Sequence, residues 1–154
     1  MSVTALRRGL VAACCLLVCA LMPSAASASA RQDRLEAGIV RAMNRMRATH
    51  GLPALRVSGG LARAAEAHSR TMLRRNVMSH GAFGARVRRY VRVRRVGENL
   101  AWMNRCRANT IVQMWMNSSG HRHVLLSRSF RRVGVGQRSS SRACYVTADF
   151  ASAN

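Results

Sequence analysis

Lysine is absent from this chain, and acidic residues are nearly so: 26 basic residues, all of them arginine, face five acids for a net charge of +21. Such a field attracts anionic partners such as nucleic acid, lipid headgroups or acidic glycans. The lack of any lysine argues equally for compositional drift towards arginine, because a surface selected only for positive charge would mix the two residues. The basic run Arg86 to Arg95 has Tyr90 as its sole aromatic, which argues against a single-strand binder built on stacked bases. Also missing are His-Glu-x-x-His, Cys-x-x-Cys, a Gly-x-Ser-x-Gly elbow and a phosphate-cradling glycine loop. Their absence excludes short-spacing metal sites, the hydrolase nucleophile turn and the common nucleotide-binding loops.

The N-terminus has its own logic. Arg7 and Arg8 precede an apolar run from Gly9 to Met22, then Pro23 and a Ser/Ala tail ending Ala28-Ser29-Ala30. This is the layout of a secretory signal peptide, and the run falls short of the roughly 20 residues a spanning helix needs. We expect residues 1–30 to be the signal, cut after Ala30 or Ala28, and 31–154 to be one domain that is secreted or periplasmic. The alternative is an uncleaved anchor. Cys14, Cys15 and Cys19 would leave with the signal, so Cys106 and Cys144 remain. An oxidising compartment lets that pair persist as a disulfide; two buried free thiols are the alternative.

Within the domain, Leu35, Ile39, Met43 and Met46 fall on one face of a helix over 33–50. Gly51 offers its C-terminal cap and Pro53 stops it. A second helix is predicted from Ser58 to Asn76, with Leu61, Ala65, His68 and Met72 on one stripe, His68 as a hydrogen-bonded core residue, and Ser58 as cap. Residues 81–96 read as an Arg-rich loop or edge strand. Thr110 to Gln113 has the form of a capping box opening a third helix. Ser118-Ser119-Gly120 breaks that helix and caps a fourth over 121–126. Two strand-like runs, 133–137 and 143–150, flank a polar hairpin loop. Helices first and strands late predict an α+β fold with an antiparallel sheet.

Three of the five acids have local explanations. Asp33 and Glu36 suit the first turn of the first helix, and Glu66 has Arg63 and Arg70 at helical spacing. Glu98, in a turn-like Gly97-Glu98-Asn99 setting, and Asp149 have none.

At this point a resemblance emerges. Met43 to Leu55, Leu61 to Met72, Met78-Ser79-His80, Gly97-Glu98-Asn99-Leu100-Ala101, Trp115 to Arg122 and Val133-Gly134-Val135-Gly136 occur in the order seen in bacterial CAP domains. The chain resembles the CAP superfamily (SCP-like; the cysteine-rich secretory protein, antigen 5 and pathogenesis-related group) from about residue 35 to 150. The resemblance implies a three-layer α-β-α sandwich and a cleft where His80, Glu98 and His121 converge. Two features depart from the family. Gln113 stands where many relatives carry a second Glu, and glutamine is neither a base nor a good metal ligand. His121-Arg122-His123-Val124 replaces the common His-Arg-x-Asn.

The residue physics adds to this. His121 falls in the first turn of a helix, whose dipole favours neutral imidazole, the metal-binding form. His123 points to another face. His80 and His121, with Glu98, are thus candidates for a weakly held divalent cation, zinc above all; the alternative is a hydrogen-bonded His–Glu–His cluster without metal. No catalytic residue beyond these three cleft candidates is identifiable. The function expected is a non-enzymatic binding module for a cation or a small, apolar or lipid-like ligand or envelope component. The alternatives are a metal- or His/Glu-dependent hydrolase and a charge-led binder of anionic polymers or membranes.

Overall fold

The computed structural model describes residues 25–153; the basic N-terminal pair, the apolar run and Cys14, Cys15 and Cys19 lie outside them. The elements in order are α1 (Ala25–Thr49), β1 (Arg56–Val57), α2 (Gly59–Arg75), α3 (Phe83–Arg88), β2 (Val96–Met103), α4 (Ala108–Asn117), α5 (Ser119–Leu125), β3 (Arg132–Ser139) and β4 (Cys144–Ala151). The strands form one sheet in the order β1-β3-β4-β2. It is antiparallel except for the two-residue β1, which runs parallel to β3. Helix α2 covers one face, while α1, α4 and α5 cover the other. The expected three-layer α+β arrangement is therefore present.

Side-chain alternation explains the layers. Val133, Val135, Val146, Ala148 and Phe150 join Ile39, Met43, Ile111 and Trp115 in the main core. The partner positions on β3, Gly134 and Gly136, face α2. A Cβ on Gly134 would lie 2.0 Å from the Ala62 amide nitrogen, and one on Gly136 2.2 Å from that of Glu66. The Val-Gly-Val-Gly run thus lets the backbone of α2 rest directly on β3, where a larger residue would lift it away.

Several local expectations need correction. Helix α1 begins at Ala25, upstream of the expected cleavage point, so Asp33 and Glu36 sit well inside it rather than in its first turn. Glu36 instead accepts a hydrogen bond from the Gln137 amide at 2.9 Å, and burial pushes its carboxyl above the ordinary range. Helix α4 starts at Ala108 with Arg107 at its cap, so Thr110 to Gln113 is not a capping box. Ser58 and Ser118 occupy cap positions without making side-chain cap bonds. Residues 83–88 form a helix with Val87 fully buried, because one apolar residue on a short helical face suffices to pin it. Glu98 belongs to a strand rather than a turn.

Two long-range ties complete the frame. Cys106 and Cys144 are bridged, with 5.9 Å between their Cα atoms. Arg47 is wholly buried and donates to the carbonyls of Pro53, Leu125, Ser127 and Phe130 at 2.8–3.1 Å. Its planar fork satisfies four backbone acceptors and fixes the 125–130 turn against the end of α1.

Candidate functional site

The site grows from the edge strand β2. Alternation sends Glu98 to the α2 side, opposite Asp149 and Gly134 in register, and sends Asn99 to the other side. Asn99 donates to the His121 carbonyl at 3.0 Å, and Trp115 Nε1 donates to the Leu100 carbonyl at 2.8 Å. These bonds fasten α4 and α5 to the strand that carries Glu98.

The Glu98 side chain is almost fully buried, and both of its oxygens have partners. Oε1 meets His80 Nδ1 at 2.7 Å, and Oε2 accepts from Arg86 Nη2. The same Arg86 nitrogen reaches Asp149 Oδ1 at 2.8 Å. His68 Nε2 lies 3.9 Å from Glu98 Oε2 and bonds the Ser79 carbonyl at 2.8 Å. His68 is thus a hydrogen-bonded histidine, as expected, and it also borders the cluster. Burial, then the Arg86 charge, pulls its pKa down.

One guanidinium therefore serves two buried carboxylates. Burial pushes Asp149 up to about 8 despite Arg86, with Glu98 reinforcing the rise. Near neutral pH Asp149 keeps its proton, so its neutral acid group lies beside the Arg86 guanidinium in the interior. Sequence reasoning left Asp149 unexplained and passed over Arg86. The signal for Asp149 was its lack of a helical partner; Arg86 was indistinguishable from its arginine neighbours.

His80 is 55% exposed at its side chain and lines the cavity beside Glu98. His121 has its pKa lowered, first by burial and then by the nearby His80, and its Nδ1 is buried without a partner. The fold thus brings His80 onto Glu98 and sets His121 within electrostatic reach of His80. Gln113 does not join them: it is exposed on α4 and donates to Asn117 at 3.1 Å. Among the described residues, no group of three or more His, Cys, Asp or Glu side chains is arranged to hold a metal ion. Both Glu98 oxygens are already engaged by His80 and Arg86, which leaves the two imidazoles as the donors open to a cation. Glu98 then stands behind His80, a carboxylate orienting a histidine.

Beside His80 and Glu98 opens a cavity of ≈ 800 Å³. Phe83, Val124 and Phe130 give it an apolar floor, and Arg88, Arg94 and Arg95 line it too. His123 also faces it and His121 does not, consistent with the two histidines pointing to different faces of α5.

Comparison with known proteins places this geometry in context. The CAP family model, the cysteine-rich secretory protein family, matches residues 40–150. A Bacillus subtilis (strain 168) membrane protein, YlbC, is 33% identical over 111 residues, covering 68% of this chain and 32% of the relative. YkwD of the same organism is 29% identical over 116 residues, 71% of this chain and 45% of the relative. An extracellular SCP-domain protein from Bacillus anthracis, solved by crystallography, has a TM-score of 0.76 at 28% identity, over 86% of this chain and 45% of its own. The chain spans less than half the length of each of these three proteins.

Proposed function

The chain belongs to the cysteine-rich secretory protein (CAP) family, and from that premise we propose that it is an exported, non-enzymatic binding module whose His80/His121 cleft weakly holds a divalent cation such as zinc. The observation that carries this reading is the pairing of buried Glu98 with the half-exposed His80, beside a neutral His121 whose Nδ1 is buried without a partner. Glu98 fixes the ring of His80 through Nδ1, which leaves the other nitrogen for the cleft. Burial keeps His121 in the uncharged form that a metal requires. Arg86 already neutralises Glu98 from behind, so a cation at the imidazoles gains little from that carboxylate and binds weakly. The export part of the reading rests on the sequence of residues 1–30; no helix among the described residues is long and apolar enough to cross a membrane.

A hydrolase reading draws on the same pair, since a carboxylate-oriented imidazole is a competent general base. It needs a nucleophile or an activated water, and among the described residues no hydroxyl or thiol hydrogen-bonds His80. The binding module is therefore the better-supported conclusion. Calorimetric titration of Zn²⁺ into the wild type, His80→Ala and His121→Ala tests the cation. Saturable heat in the wild type and its loss in both variants are expected; equal heats in all three overturn the assignment.

A further inference from the structure

We propose that the Cys106–Cys144 bridge is a modification site: a small acidic thiol enters the cavity over the bridge, attacks Cys106 and stays there as a mixed disulfide, with Cys144 released. The bridge lies at the Met103 end of β2, where Met103 pairs with Cys144. It shares no side chain with the cleft, so the two sites stand or fall separately.

Four observations converge. First, a cavity of ≈ 310 Å³ is lined by both cysteines, at the small end of the about 300–1,000 Å³ usual for small-molecule pockets. The bridge is thus open to a molecule of a few heavy atoms. Second, its two ends differ: Cys106 is half-buried, while Cys144 is 3% exposed. Access decides which sulfur is attacked, so Cys106 receives the nucleophile and Cys144 is the leaving group. Third, Arg31 from α1 and Arg105 line the cavity and no acid does. Neither arginine forms an ion pair among the described residues. A concavity lined by one sign of charge gathers the opposite sign, and the same guanidiniums favour a departing thiolate. Fourth, a partner for the released sulfur is already in place. Gln137 is buried, with its main-chain nitrogen held by Glu36 at 2.9 Å, and its Oε1 lies 3.4 Å from Cys144 Sγ. A bridged sulfur has no hydrogen to donate. A free Cys144 thiol does, and the nitrogen of the same amide can donate to the thiolate.

The step balances without an outside oxidant. The incoming thiolate forms a bond to Cys106 Sγ as the Cys106–Cys144 bond breaks, and its electron pair departs on Cys144, which then takes a proton from water. Attack by Cys144 on the adduct reverses the step and expels the small thiol.

Mercaptoethanesulfonate, 2-mercaptoethanol and cysteamine, small thiols of negative, neutral and positive charge, are the probes. Each is added in excess to the folded, bridged protein, with acid quenching, alkylation and peptide mass spectrometry at intervals. Each rate is divided by that thiol's rate with the neutral disulfide of 2-mercaptoethanol, which removes differences in thiol reactivity. The anionic thiol is then expected to react at least about tenfold faster than the cationic one, with the adduct on Cys106 and the alkyl group on Cys144. Arg105→Gln should reduce that preference at least about threefold, and so should about 0.5 M salt. Arg56→Gln removes the same charge at the far end of β3, roughly 20 Å away by strand rise, and should leave the preference unchanged. An adduct on Cys144, no Cys106 adduct at any time, equal normalised rates for the three thiols, or equal effects of the two variants overturns the proposal. So does a rate that stops rising with thiol concentration, which marks attack only after unfolding.

Discussion

Replacing Arg86 with methionine isolates the electrostatic centre of the site. Methionine retains most of the packing of the stem and deletes the one cation shared by Glu98 and Asp149. The guanidinium is only 16% exposed, and the carboxylates 1% and 0%, so water replaces little of what is lost. Breaking a buried ion pair by removing one partner costs about 3–5 kcal/mol. For a domain of this size that corresponds to a fall in Tm of roughly 10–20 °C. Urea denaturation of wild type and Arg86→Met at neutral pH measures the gap, and a gap below about 1 kcal/mol would refute the shared-cation account.

Two further outcomes follow from the same coordinates. Asp149 holds its proton up to about pH 8 in the folded state and releases it far lower when unfolded. The stability it contributes is thus complete below about pH 4 and is lost as pH rises towards 8; Asp149→Asn should flatten the wild-type decline measured by denaturation between pH 5 and 8, and an unchanged slope would contradict the assignment. The Cys106–Cys144 bridge closes a loop with a sequence separation of 38, for which chain entropy predicts about 4 kcal/mol; Cys106→Ser/Cys144→Ser should lose most of that in calorimetry, and a loss under about 1 kcal/mol would mean that the bridge adds little.

The major helices and the late hairpin were legible in the chain because each leaves a periodic trace. Leu35, Ile39 and Met43 mark a helical face whatever surrounds them, and the 133–137 and 143–150 runs alternate as strands do. The resemblance located His80, Glu98 and His121. What escaped were interactions without local pattern. The helix over 83–88 has a single buried residue, too few for periodicity. Arg86 and Arg47 are two arginines among 26, and only the fold distinguishes them from those on the surface. Glu98 sits between Gly97 and Asn99, which mimic a turn, although Gly97 is there to admit the Phe130 ring. The capping box at Thr110 failed because the helix extends two residues upstream of it.

The close seating of α2 on Gly134 and Gly136 divides the mobility of the cleft unevenly. A helix whose main chain touches the strand beneath it cannot slide or tilt without collision, so His68 and the sheet behind Glu98 travel as one body. The facing bank, α3 and the short arginine segment leading into β2, is secured chiefly by Val87 and the Arg86 ion pairs. Adaptation to occupants of different girth would therefore fall on that bank, with α2, His68 and the sheet held at constant spacing.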